Sequence, residues 1–407
     1  MQLYLLDSLK LLISYKFIQS MKLIEVKTLA DIKLFHHAPR EIYKNDSNWI
    51  PHITADIEKI FNPEKNKLFE KGKAIRWVMI DTNHNVTGRI GAFINHKTSF
   101  SFKQPTGGIG FFECINNQQS ANLLLNTAKD WLTKNGMEAM DGPINFGEKQ
   151  EFWGMLVDNF TSPSSYMMNY NPEYYKSLFE DYGFKLYYYQ YIFKRDLYVP
   201  AQPVFVRKYN QMNADPNYRI SNVRKMSSET IAANFRSVYN GAWGGHDNFK
   251  EMPKNIALKI VRALKPIMDP DIVVFVFHKN EPIAFYVNIP ELNEIFKFVD
   301  GKLNWWNKLK VWYHLKRKTP KTMVGIVFGV IKAFQGKGIE GAMIKWSEDN
   351  IVSLNRYNET IMTWIGDFNP KMIKVCENLG AQKFRTLGTY RYLFDQEAEF
   401  ERCPIVE

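Results

Sequence analysis

The predicted secondary structure of this 407-residue chain repeats once, and the repeat restricts its fold more than any other feature. Each half has a β-hairpin, a third strand, a helix, a short strand, an Asn-Pro step, a second helix that ends at glycine, and a last strand. The Asn-Pro step is Asn171-Pro172 in the first half and Asn369-Pro370 in the second. Asparagine before a helix and proline in its first turn are frequent helix starts. The repeat predicts an α/β fold of two tandem domains, each a mixed, mostly antiparallel sheet with helices on both faces.

The boundaries of the two halves follow from residues that interrupt the strand and helix pattern. Two prolines interrupt the pattern near residues 198–203, which we interpret as a linker. The predicted segments are an N-terminal extension at 1–20, domains at 21–197 and 204–396, and a C-terminal tail at 397–407. The extension is expected to lie outside the fold because a new strand pattern begins at Met21. Either Met1 or Met21 can therefore be the first residue of the natural protein.

A glycine-rich turn follows the predicted strand 323–331 in the second half. Its sequence is Gln-Gly-Lys-Gly-Ile-Glu-Gly over residues 335–341, and a helical pattern comes next. A strand, a tight basic turn and a helix N-terminus together hold a diphosphate, because backbone N–H groups point outward and the helix dipole adds positive charge. The turn has neither the Walker ending nor the spacing of a dinucleotide fold. The candidate phosphate-binding residues are Gln335, Gly336, Lys337, Gly338 and Gly341.

This turn resembles the acyl-CoA loop of the GNAT (GCN5-related) N-acetyltransferases, whose pattern is Gln/Arg-x-x-Gly-x-Gly/Ala. Gln335 and Gly338 match the pattern, and Glu340 stands where the family has glycine or alanine. The element order in both halves also resembles the GNAT fold, and the whole chain is similar to large bacterial tandem-GNAT proteins. The resemblance implies acetyl-CoA or another acyl-CoA as cosubstrate, no metal, and direct attack of a small-molecule or peptide amine on the thioester.

The two halves differ in their ability to bind a phosphate group. The first half has no glycine or basic residue between Cys114 and its helix, and Glu113 would repel an anion, so we expect that half to be structural or substrate-shaping. In the second half, a Glu340 carboxylate that faces the ligand at ~4 Å would cost about 1–4 kcal/mol, whereas one that faces solvent would cost little. Both orientations are open from sequence alone.

The resemblance also implies an asparagine that opens the helix after the fifth strand, followed by a tyrosine general acid. Asn369 fits the asparagine and would lie near the pantetheine arm. The position seven residues on is Cys376, which is either a thiol acid or a small core residue. Tyr390 or Tyr392 on the last strand are alternative acids. His246 is a candidate general base, because histidine titrates near neutrality.

Further candidates belong to a predicted acceptor groove. The polar, glycine-rich segment 240–248 is either a substrate lid or an ordinary loop between two helices. The segment 288–293 ends a predicted strand, and an aspartate follows the fifth strand. The groove candidates are Trp243, Asn248, Asn288, Asn293 and Asp367.

Composition narrows the class of ligand. The net charge of +11 suits an anion such as CoA, a phosphorylated substrate, RNA or a lipid headgroup. The basic, aromatic segment 304–318 can contact a membrane or nucleic acid, but we favour an amphipathic helix packed on the domain with solvated lysines. Three cysteines without metal-like spacing favour a reducing cytoplasm. No apolar stretch is long enough to predict a membrane span, and stable insertion is not expected.

The sequence therefore predicts a cytoplasmic, acyl-CoA-dependent N-acyltransferase with one active site in the second half. One alternative is a transferase like the Fem ligases, which use aminoacyl-tRNA, and nucleic acid is a partner only in that case. The other alternative is a non-catalytic binding protein that kept the GNAT fold. Neither the acyl chain length nor an oligomeric state follows from the sequence.

Overall fold

A computed structural model describes residues 21–244 and 250–405 of the chain. The strands are β1 (Met21–Glu25), β2 (Gly72–Asp81), β3 (Val86–Asn95), β4 (Thr106–Cys114), β5 (Ala139–Gly142), β6 (Met155–Leu156), β7 (Lys185–Asp196), β8 (Tyr218–Asn222), β9 (Val273–His278), β10 (Glu281–Pro290), β11 (Thr322–Val330), β12 (Glu359–Gly366) and β13 (Gln382–Leu393). The α-helices are α1 (Leu29–Ile42), α2 (Thr54–Ile60), α3 (Gln118–Lys134), α4 (Tyr175–Tyr182), α5 (Pro203–Ala214), α6 (Ser228–Trp243), α7 (Lys254–Leu264), α8 (Asn293–Phe296), α9 (Trp305–Lys316), α10 (Ile339–Asn350) and α11 (Pro370–Asn378). Short 3-10 helices occupy Lys67–Lys71, Ser99–Ser101, Lys332–Phe334 and Val352–Leu354.

The strands of these residues form one continuous sheet. Their order is β1-β2-β3-β4-β5-β13-β7-β12-β11-β10-β9-β8, and β6 pairs with β13 outside this path. The pairs β4–β5 and β11–β12 are parallel, and the remaining pairs are antiparallel. The predicted α/β class with mixed, mostly antiparallel pairing is confirmed.

The two halves exchange their last strands. β13, at the end of the second half, pairs with β5 of the first half, where Tyr390 lies opposite Gly142. β7, at the end of the first half, pairs with β12 of the second half, where Gln190 lies opposite Gly366. The division into 21–197 and 204–396 stays a prediction, because the sheet continues unbroken across it.

Helices cover both faces of the sheet because side chains alternate along each strand. In β2, Trp77 and Met79 belong to the cluster with α3, whereas Val78 and Ile80 pack with α1. In the second half, β9 alternates in the same way between α10 and α6. Both faces are therefore closed by helices, and a ligand has to enter at an edge or between strands.

The two Asn-Pro steps have different roles in the structure. The Asn369 side chain accepts a hydrogen bond of 3.1 Å from the Met372 N–H and caps α11, as predicted. The Asn171 side chain instead accepts from the Leu156 N–H at 2.7 Å and donates to the Leu156 carbonyl at 3.1 Å. Because α4 begins only after Tyr174, the predicted cap is wrong in the first half.

Two predictions concern the N-terminus and the membrane. Residues 1–20 lie outside the described residues, so the extension stays a prediction. The strand predicted from Met21 is present as β1, which pairs with β2. None of the helices described is long and apolar enough to cross a bilayer.

Candidate active site

The strands β11 and β12 pair over only part of their length. Their parallel ladder ends where Gly325 lies opposite Met362, although both strands continue beyond that point. On the other side of β11, Val327 and Gly325 pair with consecutive residues of β10, so Ile326 is an unpaired bulge residue. Bulges bend a strand and often lie beside active sites. Past the bulge, β11 and β12 separate and leave a gap in the sheet.

A cavity of about 230 Å³ occupies this gap. Its wall is largely apolar and comes from β10, β11, β12 and the helices α6, α10 and α11. The polar side chains in the wall include Arg195, Tyr286, Glu340, Thr360 and Thr363. A gap of this kind can hold an apolar arm or chain, with a few polar groups to orient it.

The glycine turn comes directly before α10, and Glu340, the second residue of that helix, lines the cavity. Gly336 and Gly338 have φ values of 71° and 81°, in the left-handed region that favours glycine. The Gln335 side chain donates to the Val330 carbonyl at 3.0 Å and ties the turn to the end of β11. In the described part of the chain, the N–H groups of Gly336 and Lys337 donate to no protein acceptor. The turn therefore offers free backbone donors beside a helix N-terminus, as a diphosphate requires.

A second lysine lies against the turn. A Cβ added at Gly338 would be 2.7 Å from Cγ of Lys208, which belongs to α5. Lys337 is the other cation, with its Nζ 4.8 Å from the centroid of the Phe334 ring. Sequence reasoning missed Lys208, because its position depends on the packing of α5 against α10 and not on any local motif.

Gly341 has a packing role. A Cβ at this position would lie 2.3 Å from Cδ1 of Phe205, so the absence of a side chain lets α5 approach α10. Gly341 is therefore buried between helices, whereas Gly336 has open space around its Cα. The part of the predicted set that solvent can reach is the shorter segment from Gln335 to Gly338.

Tyr286 of β10 is a further cavity residue that the sequence analysis missed. Its hydroxyl lies 3.2 Å from Oγ1 of Thr360, and burial raises the pKa of the phenol to about 12. The hydroxyl occupies space beside Gly325, where an added Cβ would be 2.7 Å away. The glycine thus makes room for a phenol at the point where β11 and β12 separate. The sequence signal was weak, since a tyrosine inside a hairpin strand is usually a packing residue.

Cys376 and Tyr390, two predicted catalytic residues, lie in the protein core. Cys376 is fully buried with Phe193 and Ile365, and burial raises the pKa of its thiol to about 12. Tyr390 belongs to the core cluster of the first half, because the exchange of β13 carries it there. Burial raises the Tyr390 pKa above its ordinary value. Neither side chain lines the cavity between β11 and β12.

Trp243, at the end of α6, lines the cavity. Its ring stacks on Tyr239 at a centroid distance of 4.9 Å and on Phe285 at 6.3 Å. His246 and Asn248, from the same predicted lid, lie outside the described residues. The structure thus places Trp243 in the wall of the cavity, and its role in a substrate lid stays a prediction.

Asn288 and Asn293 hold the backbone and do not line this cavity. The buried Asn288 amide donates to the Ile272 carbonyl at 2.9 Å. Asn293 donates to the Ser164 carbonyl at 2.7 Å, so it links the second half to the first. Their polarity is explained by these buried hydrogen bonds.

Asp367 and Asn369 lie at the end of β12. The Asp367 carboxylate accepts from the Arg402 guanidinium at 2.6 Å, which ties the C-terminal tail to the sheet. Asn369 caps α11, and Met372 of that helix and Leu379, which follows its last residue, line the cavity. Asn369 therefore lies near the gap, and Asp367 is occupied by an ion pair.

The parallel pair of the first half is closed. β4 and β5 pair from Thr106 to Gly108, and the segment after β5 then crosses back to β4. The Ile144 N–H donates to the Ile109 carbonyl at 2.7 Å, and a Cβ at Gly110 would lie 1.7 Å from the Ile144 oxygen. The chain itself fills the position that is a cavity between β11 and β12.

A second cavity, of about 440 Å³, lies beside α1, and its mixed polar and apolar wall includes Asp300 and Lys302 of the second half. Glu113 accepts from the hydroxyls of Tyr43 at 2.7 Å and Tyr175 at 2.8 Å, and from the Arg89 guanidinium at 3.3 Å. His52 lies in the same wall, and burial lowers the pKa of its imidazole to about 4. This buried network replaces the free donors that a diphosphate would need. In the described ranges, no group of three or more His, Cys, Asp or Glu side chains is arranged to hold a metal.

The sheet order and the separated parallel strands define an α/β protein with one mixed sheet, and its fold resembles that of solved tandem GNAT proteins. A tandem GNAT protein from the clavulanic acid biosynthesis pathway superposes with a TM-score of 0.53 at 9% identity, over 93% of this chain and all (100%) of that one. The GCN5-related glucosamine N-acetyltransferase region of a fungal multi-domain GH3 β-N-acetylglucosaminidase gives a TM-score of 0.52 at 11% identity over 92% of this chain. The chain spans 38% of the length of that fungal protein. At these identities the likeness shows the fold.

Two bacterial proteins are similar in sequence over most of their length. The bacterial ceramide synthase of Caulobacter vibrioides (strain NA1000 / CB15N) is 26% identical over 387 residues, which cover 90% of this chain and 95% of that protein. Protein YghO of Escherichia coli (strain K12) is 23% identical over 373 residues, or 88% of this chain and 92% of YghO. No family model matches the sequence.

Proposed function

We propose that the protein is an acyl-CoA-dependent N-acyltransferase whose active site is the cavity between β11 and β12. The observation that carries this proposal is the junction of two features. An apolar cavity opens between separated parallel strands, and a glycine turn with free N–H groups lies at the start of α10, beside it. An acyl-CoA has matching parts, namely a charged diphosphate and an apolar acyl-pantetheine arm.

In this proposal the diphosphate binds the turn. The N–H groups of Gly336 and Lys337 donate to it, and the ammonium groups of Lys337 and Lys208 add positive charge. Gln335 keeps the turn in place through its bond to the end of β11. The pantetheine arm enters the gap near Asn369 and brings the thioester toward Ile326 and its neighbours, whose backbone is not fully paired.

The chemistry is direct transfer. The amine nitrogen bonds to the thioester carbon, the C–S bond breaks, and the sulfur leaves as a thiolate that takes a proton. Tyr286 is our candidate donor, because its pKa of about 12 keeps the phenol protonated at neutral pH. The same apolar surroundings raise the pKa of the departing thiol, so the pKa values of the Tyr286 phenol and the thiol lie closer together. His246 remains the candidate base.

The acceptor we propose is a long-chain amine of the sphingoid type. The sequence relative from Caulobacter vibrioides is a ceramide synthase, and a ceramide is the N-acyl derivative of such an amine. The largely apolar wall of the cavity suits a lipid-like product better than a charged peptide. The three unpaired cysteines fit a location in the reducing cytoplasm, where acyl-CoA is available.

The test is acyl transfer with purified full-length protein. Acetyl-CoA and longer acyl-CoAs are combined with a sphingoid base, a short alkylamine or a peptide, and free CoA and N-acyl product are measured together. The expected result is N-acylation of the sphingoid base with release of one CoA for each product. CoA binding without turnover of any amine would instead support the non-catalytic alternative. Turnover with aminoacyl-tRNA and none with acyl-CoA would support the Fem-like one.

A further inference from the structure

The helix α9 exposes an unusual amount of aromatic surface. Trp305, Trp306 and Trp312 are exposed to 63%, 69% and 59%, and Leu309 and Tyr313 are also exposed. None of the residues of α9 is fully buried. The sequence favoured an amphipathic helix packed on the domain with solvated lysines; the helix does contact the domain, and three of its tryptophans are exposed as well. Large rings on a surface without a partner mark an interaction site.

The exposed rings share one side of α9. At about 100° per residue, Trp312, Trp305, Leu309, Tyr313 and Trp306 span an arc of about 120° around the helix axis. This arc is apolar apart from Lys316, the last residue of the helix, which the same spacing places between Trp305 and Leu309. It is wide enough for the helix to lie flat on a surface, with all five side chains directed to the same side.

The opposite side of α9 anchors the helix to the protein. Val311 packs against the cluster of Leu292 and Phe296, and the His314 ring stacks on Phe298 at a centroid distance of 4.3 Å. The Asn307 amide donates to the carbonyls of Val299 at 3.1 Å and Lys302 at 2.8 Å. The orientation of the aromatic arc is therefore fixed by contacts within the fold.

Positive charge borders the arc on both sides. At the same angular spacing, Lys308 falls next to Trp312, and Lys310 and Arg317 fall next to Trp306. No aspartate or glutamate occurs between residues 301 and 339. The Lys and Arg residues between positions 301 and 321 are Lys302, Lys308, Lys310, Lys316, Arg317, Lys318 and Lys321. The surface thus combines a mostly apolar arc with cations at both borders and Lys316 at its C-terminal end.

We infer that α9 docks the protein on the surface of an anionic lipid bilayer. Tryptophan and tyrosine rings sit at the level of lipid headgroups, and flanking lysines are attracted to anionic lipids within a Debye length. A nucleic acid would need cations across the whole contact, because phosphate contacts supply most of its affinity. Here most of the cations lie at the border of a largely apolar arc, as in interfacial helices, and Lys316 falls within the arc at its C-terminal end. This inference does not depend on the proposed acyl transfer.

The test is co-sedimentation of the full chain with lipid vesicles. One set is phosphatidylcholine alone, and the other is phosphatidylcholine mixed with phosphatidylglycerol. We expect binding to the mixed vesicles that weakens as salt is raised. The triple variant Trp305→Ala/Trp306→Ala/Trp312→Ala is expected to lower the partition coefficient at least about tenfold. The pair Lys308→Gln/Lys310→Gln is expected to reduce the preference for anionic lipid.

The matched control changes two exposed apolar residues elsewhere, Leu29→Ala and Ile405→Ala, and should bind as the wild type does. Circular dichroism of each variant checks that the fold is kept. The inference is overturned if the wild type does not sediment with mixed vesicles, or if the triple variant sediments equally well. It is also overturned if total tRNA, and not the vesicles, binds in a manner that depends on the three tryptophans.

Discussion

The two parallel strand pairs of the described residues share one topology and differ in what lies between them. β11 and β12 separate after Gly325 and enclose a cavity, whereas the gap after β4 and β5 is filled by the chain itself. In the first half, the segment after β5 crosses back to bond with Ile109, and Phe146 and Phe152 pack beside it. The segment that follows the fifth strand therefore decides whether this fold has room for a ligand.

The halves also differ in whether their polar groups bond to one another or are unpaired. The first half buries an ion pair between Arg89 and Glu113 in a network with two tyrosine hydroxyls, although Arg89 Nε has no hydrogen-bond partner. The second half has free N–H groups at its turn and a mostly apolar cavity wall. Buried groups that bond to one another hold a fold together, whereas unpaired donors are available to a ligand. The comparison supports our proposal that the second half binds the ligand and that the first half is structural.

The largest effect is expected from Glu113→Gln. The change leaves the buried Arg89 charge without its partner, so we expect a loss of about 3–5 kcal/mol in the free energy of unfolding. Denaturant unfolding measures it, with the exposed Glu173→Gln as the control. Affinity for acyl-CoA should stay the same in the folded variant. A loss of acyl transfer without a loss of stability would move the active site to the first half.

Tyr286→Phe tests the assignment of chemistry to the second half. Loss of the proton donor should lower kcat by about a hundredfold, because general acids contribute at least that much. The acyl-CoA dissociation constant should remain unchanged, since the ring still fills its place beside Gly325. Tyr209→Phe, on α5, is the matched control. An unchanged kcat would remove Tyr286 from the mechanism.

The smallest effect is expected from Glu340→Gln, which should strengthen the binding of CoA. Glu340 is one of the residues that line the cavity, so we propose that its carboxylate faces the ligand. Removing its negative charge from the vicinity of a diphosphate should tighten CoA binding about tenfold. Calorimetry compares it with Glu281→Gln, an exposed position on β10 with the same change of charge. Equal or weaker binding would mean that the carboxylate contacts the ligand favourably.

Local features of the fold were predictable, because they depend on neighbouring residues. Hydrophobic periodicity located the strands and helices, and Asn369 was identified as a cap. The glycines at 336 and 338 have the positive φ values that a tight turn needs. Each of these features is fixed within a few residues of sequence.

Non-local features were not predictable in the same way. The exchange of β7 and β13 depends on which edges meet in three dimensions, and it carries Tyr390 away from the half that encodes it. Lys208 and Tyr286 reach the site through packing between elements that are distant in sequence. The exposed side of α9 was misjudged, because aromatic residues at helical spacing are as typical of a packed face as of a docking face.

The central claim is that acyl-CoA binds at the turn and cavity of the second half. Isothermal titration of acetyl-CoA and a long-chain acyl-CoA tests it on the wild type, on Lys208→Ala/Lys337→Ala and on the control Arg207→Ala from the same helix. We predict one molecule bound per wild-type chain, unchanged binding in the control, and about a hundredfold weaker binding in the double variant. Absence of CoA binding to the wild type, or equal binding by the double variant, would contradict the account.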